Sequence, residues 1–368
     1  MNYRFDKIAF NSTAKKTPTE SDKEHYIGLE HIDSECLEIT RWGSNVAPIG
    51  EKLIMKKGDV LFGKRRAYQR KLAIAPFDGI FSAHGMVLRP NEEVVDKNYF
   101  PFFMSSDLFM ERAVQISVGG LSPTINWKDL REQEFPLPPL AEQKVLADKL
   151  WAAYRLKESY KKLLTATEEM VKSQFIEMFK DKKTNGKIAD LVDTDIKSVK
   201  KLFNKDDLIE YIDISSVNAK SRTLNETTQY IVRSAPSRAQ QCVQNGDILV
   251  STVRPINRNV AVVDCDLTNF VASTGFCVLR PKDGYREYLL AIVTSDKYTG
   301  KMCDIASGGL YPAVNNGDVL SYDIFIPDKD FLNRITQIYR QTDKSEFELR
   351  KSIDAIDQVI KSLINNIK

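Results

Sequence analysis

The sequence predicts an α+β chain built twice: two similar, mostly-β globular units, each followed by a long helix. Three observations predict it. Four motifs recur in the same order about 190 residues apart, short β-type runs bounded by Gly, Pro and Asp fill the first part of each copy, and each copy ends in a long stretch free of proline and glycine.

The repeat runs through the whole chain. "YIGLEHIDSECLEIT" (Tyr26 to Thr40) is matched by "YIDISSVNAKSRTLN" (Tyr211 to Asn225) at an offset of 185, and "GDVLFGKRRAYQRKLAI" from Gly58 by "GDILVSTVRPINRNVAV" from Gly246 at 188. "FSAHGMVLRP", ending at Pro90, meets "ASTGFCVLRP", ending at Pro281, at 191. "SVGGLSPTINWKDL" from Ser117 meets "ASGGLYPAVNNGDV" from Ala306 at 189. Collinear matches at a nearly constant offset describe a duplication, with units running roughly from residue 1 to 182 and from 187 to 368. The stretch "KDKKTNGK" (Lys180 to Lys187), charged and carrying an Asn-Gly turn signal, separates them.

Within the units, Val60 to Phe62, Leu72 to Ala75, Met86 to Leu88, Ile248 to Val250, Val260 to Val263 and Cys277 to Leu279 read as strands. Tyr99 to Val114 and Tyr285 to Met302 read as helices. After "FPLPPL" (Phe135 to Leu140) and after Pro327 come the long stretches, each about forty residues and so about 60 Å of helix. In the second, Leu349, Ile353, Ile356, Ile360, Leu363 and Ile367 alternate steps of four and three, the a/d pattern of a coiled-coil seam; in the first, Leu146, Leu150, Ala153, Tyr160, Leu164, Thr167, Val171 and Gln174 trace a comparable stripe. A lone helix cannot bury such a stripe, so the two pack on each other or on a partner.

Lys plus Arg (53) against Asp plus Glu (50) leaves a formal charge of only +3, so an anionic partner must be met by a local patch. Lys64, Arg65, Arg66, Arg70 and Lys71, with Tyr68 and Gln69 between them, form one on a loop between two strands. Cations neutralise phosphates, Arg pairs with guanine edges and Gln with adenine. By composition alone the loop reads sooner as solvated charged surface, since basic hairpins are common and the patch is one loop wide. The repeat favours the first reading: Arg66 and Arg70 are matched in step by Arg254 and Arg258, while Lys64, Arg65 and Lys71 become Thr252, Val253 and Asn259. The pairs Gly119–Gly120 and Gly308–Gly309 mark sharp turns.

The five cysteines (Cys36, Cys242, Cys265, Cys277, Cys303) never form a C-x-x-C pair and there are three histidines, which reads as reduced buried thiols in a cytosolic protein without a metal site. No signal-peptide h-region and no run of eighteen apolar residues is visible, so the chain is expected to be soluble and cytoplasmic. Phosphate-loop, dinucleotide, zinc-protease, serine-elbow and amino-methyltransferase motifs are missing, and a self-sufficient enzyme is not expected.

"PLPPLAEQKVLADKL" opening a long helix, preceded by "GKRRAYQRKLAIA", "FSAHGMVLRP" and a GG-x-x-P-x-[IV]-N loop, resembles the specificity subunit of type I restriction-modification systems along the whole chain. In the second half "FIPDKDFLNRI" (Phe325 to Ile335) stands in place of PLPPLAEQ. The resemblance implies target recognition domains at residues 1–138 and 183–327, with spacer helices at 139–182 and 328–368 packed as an antiparallel coiled coil. It implies a non-catalytic adaptor in which each domain reads, in the major groove, one half of a bipartite, asymmetric site on double-stranded DNA. Two modification subunits that bind S-adenosylmethionine, flip out adenine and methylate it would be partners, as would restriction subunits using ATP with magnesium; the chain itself would hold no cofactor. The DNA contacts it implies are Lys64, Arg65, Arg66, Tyr68, Gln69 and Arg70 in the first domain and Arg254, Asn257 and Arg258 in the second, with Ser122, Thr124 and Tyr311 at the GG turns. The competing expectations are a partner that fuses nuclease and methyltransferase, a standalone DNA enzyme, and a coiled-coil scaffold that binds no DNA.

Overall fold

The computed structural model describes residues 1–219, 221–264 and 268–365; Cys265 and Ile367 lie outside the described residues. The chain divides into two compact units, Met1–Leu163 with Leu349–Lys368, and Leu164–Glu348. The division falls inside the long helices, Leu140–Phe179 and Lys329–Asn365, so each unit owns a segment of both.

In the first unit a four-stranded antiparallel sheet runs in the order Ala9–Ser12, Met86–Pro90, Val60–Phe62, Leu72–Ile74. A second runs Lys15–Lys16, Lys52–Met55, Gly79–Phe81, Tyr26–Ile27, with its last pair parallel. The second unit repeats both. Val192–Asp193, Phe276–Pro281, Ile248–Ser251 and Val260–Val262 form one sheet. Thr228–Ile231, Leu208–Ile212, Phe270–Ser273 and Ala239–Cys242 form the other, where the parallel pair, Leu208–Ile212 with Phe270–Ser273, lies in the middle of the sheet because Thr228–Ile231 is added outside it. Even the short pairing of each unit's first strand with the strand before its long helix recurs, Asn2–Arg4 with Glu134–Pro136 and Gly186–Lys187 with Asp323–Ile324.

Two repeated motifs turn out to be halves of one contact. The Asp of G-D-[VI]-L accepts a backbone N–H across its own turn, from Lys56 to Asp59 at 2.8 Å and from Gln244 to Asp247 at 3.0 Å. It also takes a two-pronged bond from the Arg of V-L-R-P, Arg89 at 2.7 and 2.8 Å and Arg280 at 2.9 and 2.8 Å. A fork meeting a carboxylate edge-on fixes orientation as well as charge, and here ties the turn into the central strand to that strand's neighbour.

The expected helices after these sheets are each broken once, at Ser106 and Ser295, into Phe100–Ser105 plus Asp107–Gln115 and Arg286–Val293 plus Asp296–Ile305. Both serines are N-caps: Ser106 Oγ accepts from Phe109 N at 3.1 Å and Ser295 Oγ from Tyr298 N at 3.2 Å.

The first unit's core is phenylalanine-rich, with the rings of Phe5, Phe103, Phe109 and Phe135 at centroid spacings of 5.3–5.8 Å. Leu150 and Tyr154 of the first long helix and Ile360 and Ile364 of the second join it. In the second unit Phe175 stacks on Tyr339 at 5.5 Å and Phe179 meets Phe331 at 5.4 Å. Numbers rise along one helix as they fall along the other, so the segments are antiparallel. Gln174, expected on the stripe, is exposed, and the neighbouring Phe175 takes the buried face because a helix of 3.6 residues per turn drifts against a strict seven-residue repeat.

Each unit also grips its helices through polar groups. The Tyr154 hydroxyl accepts from Leu37 N at 3.0 Å and Glu38 N at 3.3 Å, and Lys157, almost buried, pairs with Asp357. In the second unit Arg222 reaches Asp343 and Glu346, both at 3.5 Å, with its guanidinium 5.5 Å from the Tyr339 ring centre. We predict that Tyr154→Phe destabilises the first unit by about 1–3 kcal/mol, because two backbone donors lose their acceptor; loss of hydrogen-exchange protection at Leu37 and Glu38 checks it.

Among the described residues, no helix is long and apolar enough to cross a membrane. Cys36, Cys242, Cys277 and Cys303 are free; burial pushes the Cys277 thiol up to about 12 and that of Cys242 up to about 11, so both remain thiols.

Candidate nucleic-acid interface

The basic loop of each unit is a single 3₁₀ turn held between two left-handed arginines. Ala67–Gln69 lies between Arg66 (φ 56°) and Arg70 (φ 50°), and Pro255–Asn257 between Arg254 (φ 48°) and Arg258 (φ 52°). Positive φ at a non-glycine residue is uncommon, and these four are among only six such residues described. The backbone conformation, and not charge alone, is what the in-step arginines share. Each turn is tied to the GG loop by one backbone bond of 2.7 Å, Arg66 N to Pro123 O and Arg254 N to Pro312 O.

The GG loops are closed tips. Val118 and Thr124 exchange two backbone bonds (3.0 and 2.9 Å), as do Ser307 and Ala313 (3.0 and 2.8 Å). Gly119 (φ 113°) and Gly308 (φ 106°) occupy a conformation open to glycine. Gly120 and Gly309 do not: a Cβ there would meet nothing within 4 Å.

The guanidinium groups divide into two kinds. Arg65 Nη2 and Arg66 Nε both donate to Ser122 Oγ at 3.3 Å, and both side chains are exposed. Arg254 lies over the Tyr311 ring at 4.4 Å from its centre and donates to Leu310 O at 3.3 Å. None of these three makes an ion pair among the described residues. Arg70 and Arg258 turn inward instead, onto the first residue of the helix behind the turn. Arg70 pairs with Asp107 and, at 3.5 Å, with Glu35, while Arg258 pairs with Asp296 at 2.6 Å. Asp107 is further held by Asn365, through Asp107 N to Asn365 Oδ1 at 2.9 Å and Asn365 Nδ2 to Asp107 Oδ2 at 2.7 Å.

The remaining expected residues fall around this core. Tyr68 (56% exposed) and Asn257 project from the turns, and Tyr311 is also exposed. Gln69 is half-buried, its carbonyl accepting from Ser34 Oγ at 2.6 Å. Lys64 is half-buried, which lowers its ammonium pKa, and its carbonyl accepts from Ile125 N at 2.9 Å. Thr124 bridges to Arg65 and spends its hydroxyl on Ser122 O at 3.2 Å. The structure therefore brings Arg65, Arg66, Ser122 and Thr124 together, and Arg254 with Tyr311. Asp107 and Asp296, which brace the turns, were not singled out from the sequence; their signal is the Ser-Asp pair repeated at an offset of 189.

An exposed guanidinium surface on a rigid turn, flanked by hydroxyl and aromatic groups, suits phosphate and base edges. A family model of the type I restriction modification DNA specificity domain matches residues 10–167. The specificity subunit of the Haemophilus influenzae type I restriction enzyme HindI is 31% identical over 140 residues, 37% of this chain and 30% of that protein. That of Escherichia coli EcoDI is 28% identical over 142 residues, 38% of this chain and 31% of that one. These matches thus span less than a third of each relative's length. Among solved structures, the S subunit of a type I restriction-modification system from M. genitalium superposes with a TM-score of 0.61 at 12% identity, over 100% of this chain and 95% of that one. A chain from a study of the assembly and conformational transition of the type I R-M system does so with 0.56 at 17%, over 99% and 96%. Residues 10–167 thus match the type I restriction modification DNA specificity domain, and the chain as a whole shares its fold with a solved type I S subunit.

Proposed function

We propose that the chain is the DNA-recognition subunit of a type I restriction-modification assembly and performs no catalysis itself. The observation that carries this reading is the duplicated turn: one rigid backbone device, presented once per unit, with exposed guanidinium groups that differ between the copies. Shared geometry with different side chains suits two half-sites of different sequence on double-stranded DNA, read from the same kind of groove position. The paired long helices would fix the gap between the halves. Two modification subunits would bind S-adenosylmethionine and methylate one adenine in each half, restriction subunits would supply the ATP- and magnesium-dependent step, and the assembly would act in the cytoplasm.

Single-molecule methylation mapping tests this, comparing cells that express the chain with its methyltransferase against cells lacking only the chain. The expected result is a bipartite adenine-methylated motif that disappears with the chain. An unchanged methylome, with the methyltransferase active, would favour a scaffold that binds no DNA.

A further inference from the structure

The tips of the two GG loops end in the same side chain, and it points at nothing in its own unit. Leu121 is 97% exposed and Leu310 79%. Both follow a glycine pair, sit in a tip closed by two backbone bonds between its flanking residues, and adjoin the free guanidinium groups: Ser122, next to Leu121, receives Arg65 and Arg66, and Leu310 O receives Arg254. Around them the copies diverge, with Ser122 against Tyr311, Thr124 against Ala313 and Tyr68 against Ile256. A shared, outward apolar side chain within a variable, cationic surface needs a partner feature that is itself shared.

Two half-sites of unrelated sequence have one such feature if each contains a methylated adenine: the A·T pair. Its thymine carries the C5-methyl group, the apolar feature of the major-groove edges, and leucine, which cannot hydrogen-bond through its side chain, is suited to that contact. Resting on the function proposed above, we propose that Leu121 and Leu310 each pack against the C5-methyl of the thymine opposite the adenine methylated in their half-site. They are the common readers, and the residues around them read what differs.

The test uses the chain assembled with its methyltransferase and duplexes carrying the mapped site, with thymine or deoxyuridine opposite each target adenine. Deoxyuridine pairs identically and lacks only the methyl group. The wild-type complex is expected to lose about fourfold in affinity per replacement, the worth of roughly one buried methyl group. Leu121→Ala is expected to bind less tightly and to be indifferent to the replacement in the first half-site while keeping the penalty in the second; Leu310→Ala should do the reverse. Wild-type indifference to deoxyuridine, or an undiminished penalty in the variants, overturns the proposal while leaving DNA recognition intact. Loss of methyltransferase assembly by Leu121→Ala without DNA present also overturns it, assigning the leucine to a protein contact. If no methylated motif depends on the chain, both this proposal and the reading beneath it fall.

Discussion

Arg280→Ala is expected to destabilise the second unit by about 3–5 kcal/mol, and Arg89→Ala the first by only about 1–2 kcal/mol, although the two ion pairs have the same geometry. The difference lies in burial. The Asp247 side chain is 1% exposed and that of Arg280 16%, so removing the guanidinium strands a carboxylate out of reach of water with the Gln244 N–H as its remaining described donor. Asp59 is nearly as buried, but the Arg89 side chain is 45% exposed, and water can take its place. The units can be followed separately, because Trp42, Trp127 and Trp151 all lie in the first. Arg89→Ala should shift the tryptophan-detected urea transition slightly. Arg280→Ala should shift the transition seen by circular dichroism and leave the tryptophan signal nearly in place. Equal shifts from the two substitutions would show that burial does not set the cost.

The same pair shows what was legible in the sequence. G-D-[VI]-L and V-L-R-P were visible as repeats, and their recurrence placed the duplication and the strands around them to within a residue or two. That the Asp of one bonds the Arg of the other was not visible, because a contact between residues thirty apart leaves no local periodicity. The serine breaks at Ser106 and Ser295 were hidden for a related reason: apolar residues continue on both sides, so the helical pattern reads through the cap. The helix stripes were clear where a/d spacing held, at Ile356 and Ile360, and slipped at Gln174 where it drifted.

The basic cluster is the most instructive case. Five cations within eight residues read as one patch, yet a 3₁₀ turn flanked by left-handed residues sends neighbours in different directions. Arg65 and Arg66 face Ser122 at the surface, Lys71 donates to Leu29 O at 2.6 Å, and Arg70 faces Asp107. Register between the copies was visible; which of the registered arginines remain free depends on acids far away in sequence.

That division gives the second large effect. Arg66→Ala and Arg254→Ala are each expected to weaken DNA binding by the assembled complex about tenfold, and the double variant about a hundredfold, since residues in separate units that share no partner add in free energy. Where the contact is to phosphate, each substitution should also lower the magnitude of the salt slope by about one. Arg70→Ala and Arg258→Ala should behave differently. Their guanidinium groups neutralise Asp107 and Asp296, each the first residue of a helix, where the backbone N–H groups already favour a carboxylate. Removing either arginine therefore leaves its acid tolerably placed but frees the turn from the helix behind it. The expected outcome is a loss of affinity and of discrimination in one half-site with an unchanged salt slope. In the first unit, where Asn365 still holds Asp107 through two hydrogen bonds, the helix end should stay ordered and only the turn should loosen. Binding isotherms across a salt series, run on duplexes altered in one half-site at a time, separate the two classes. A slope reduced by Arg70→Ala as much as by Arg66→Ala would mean that Arg70 leaves its acids and reaches the DNA.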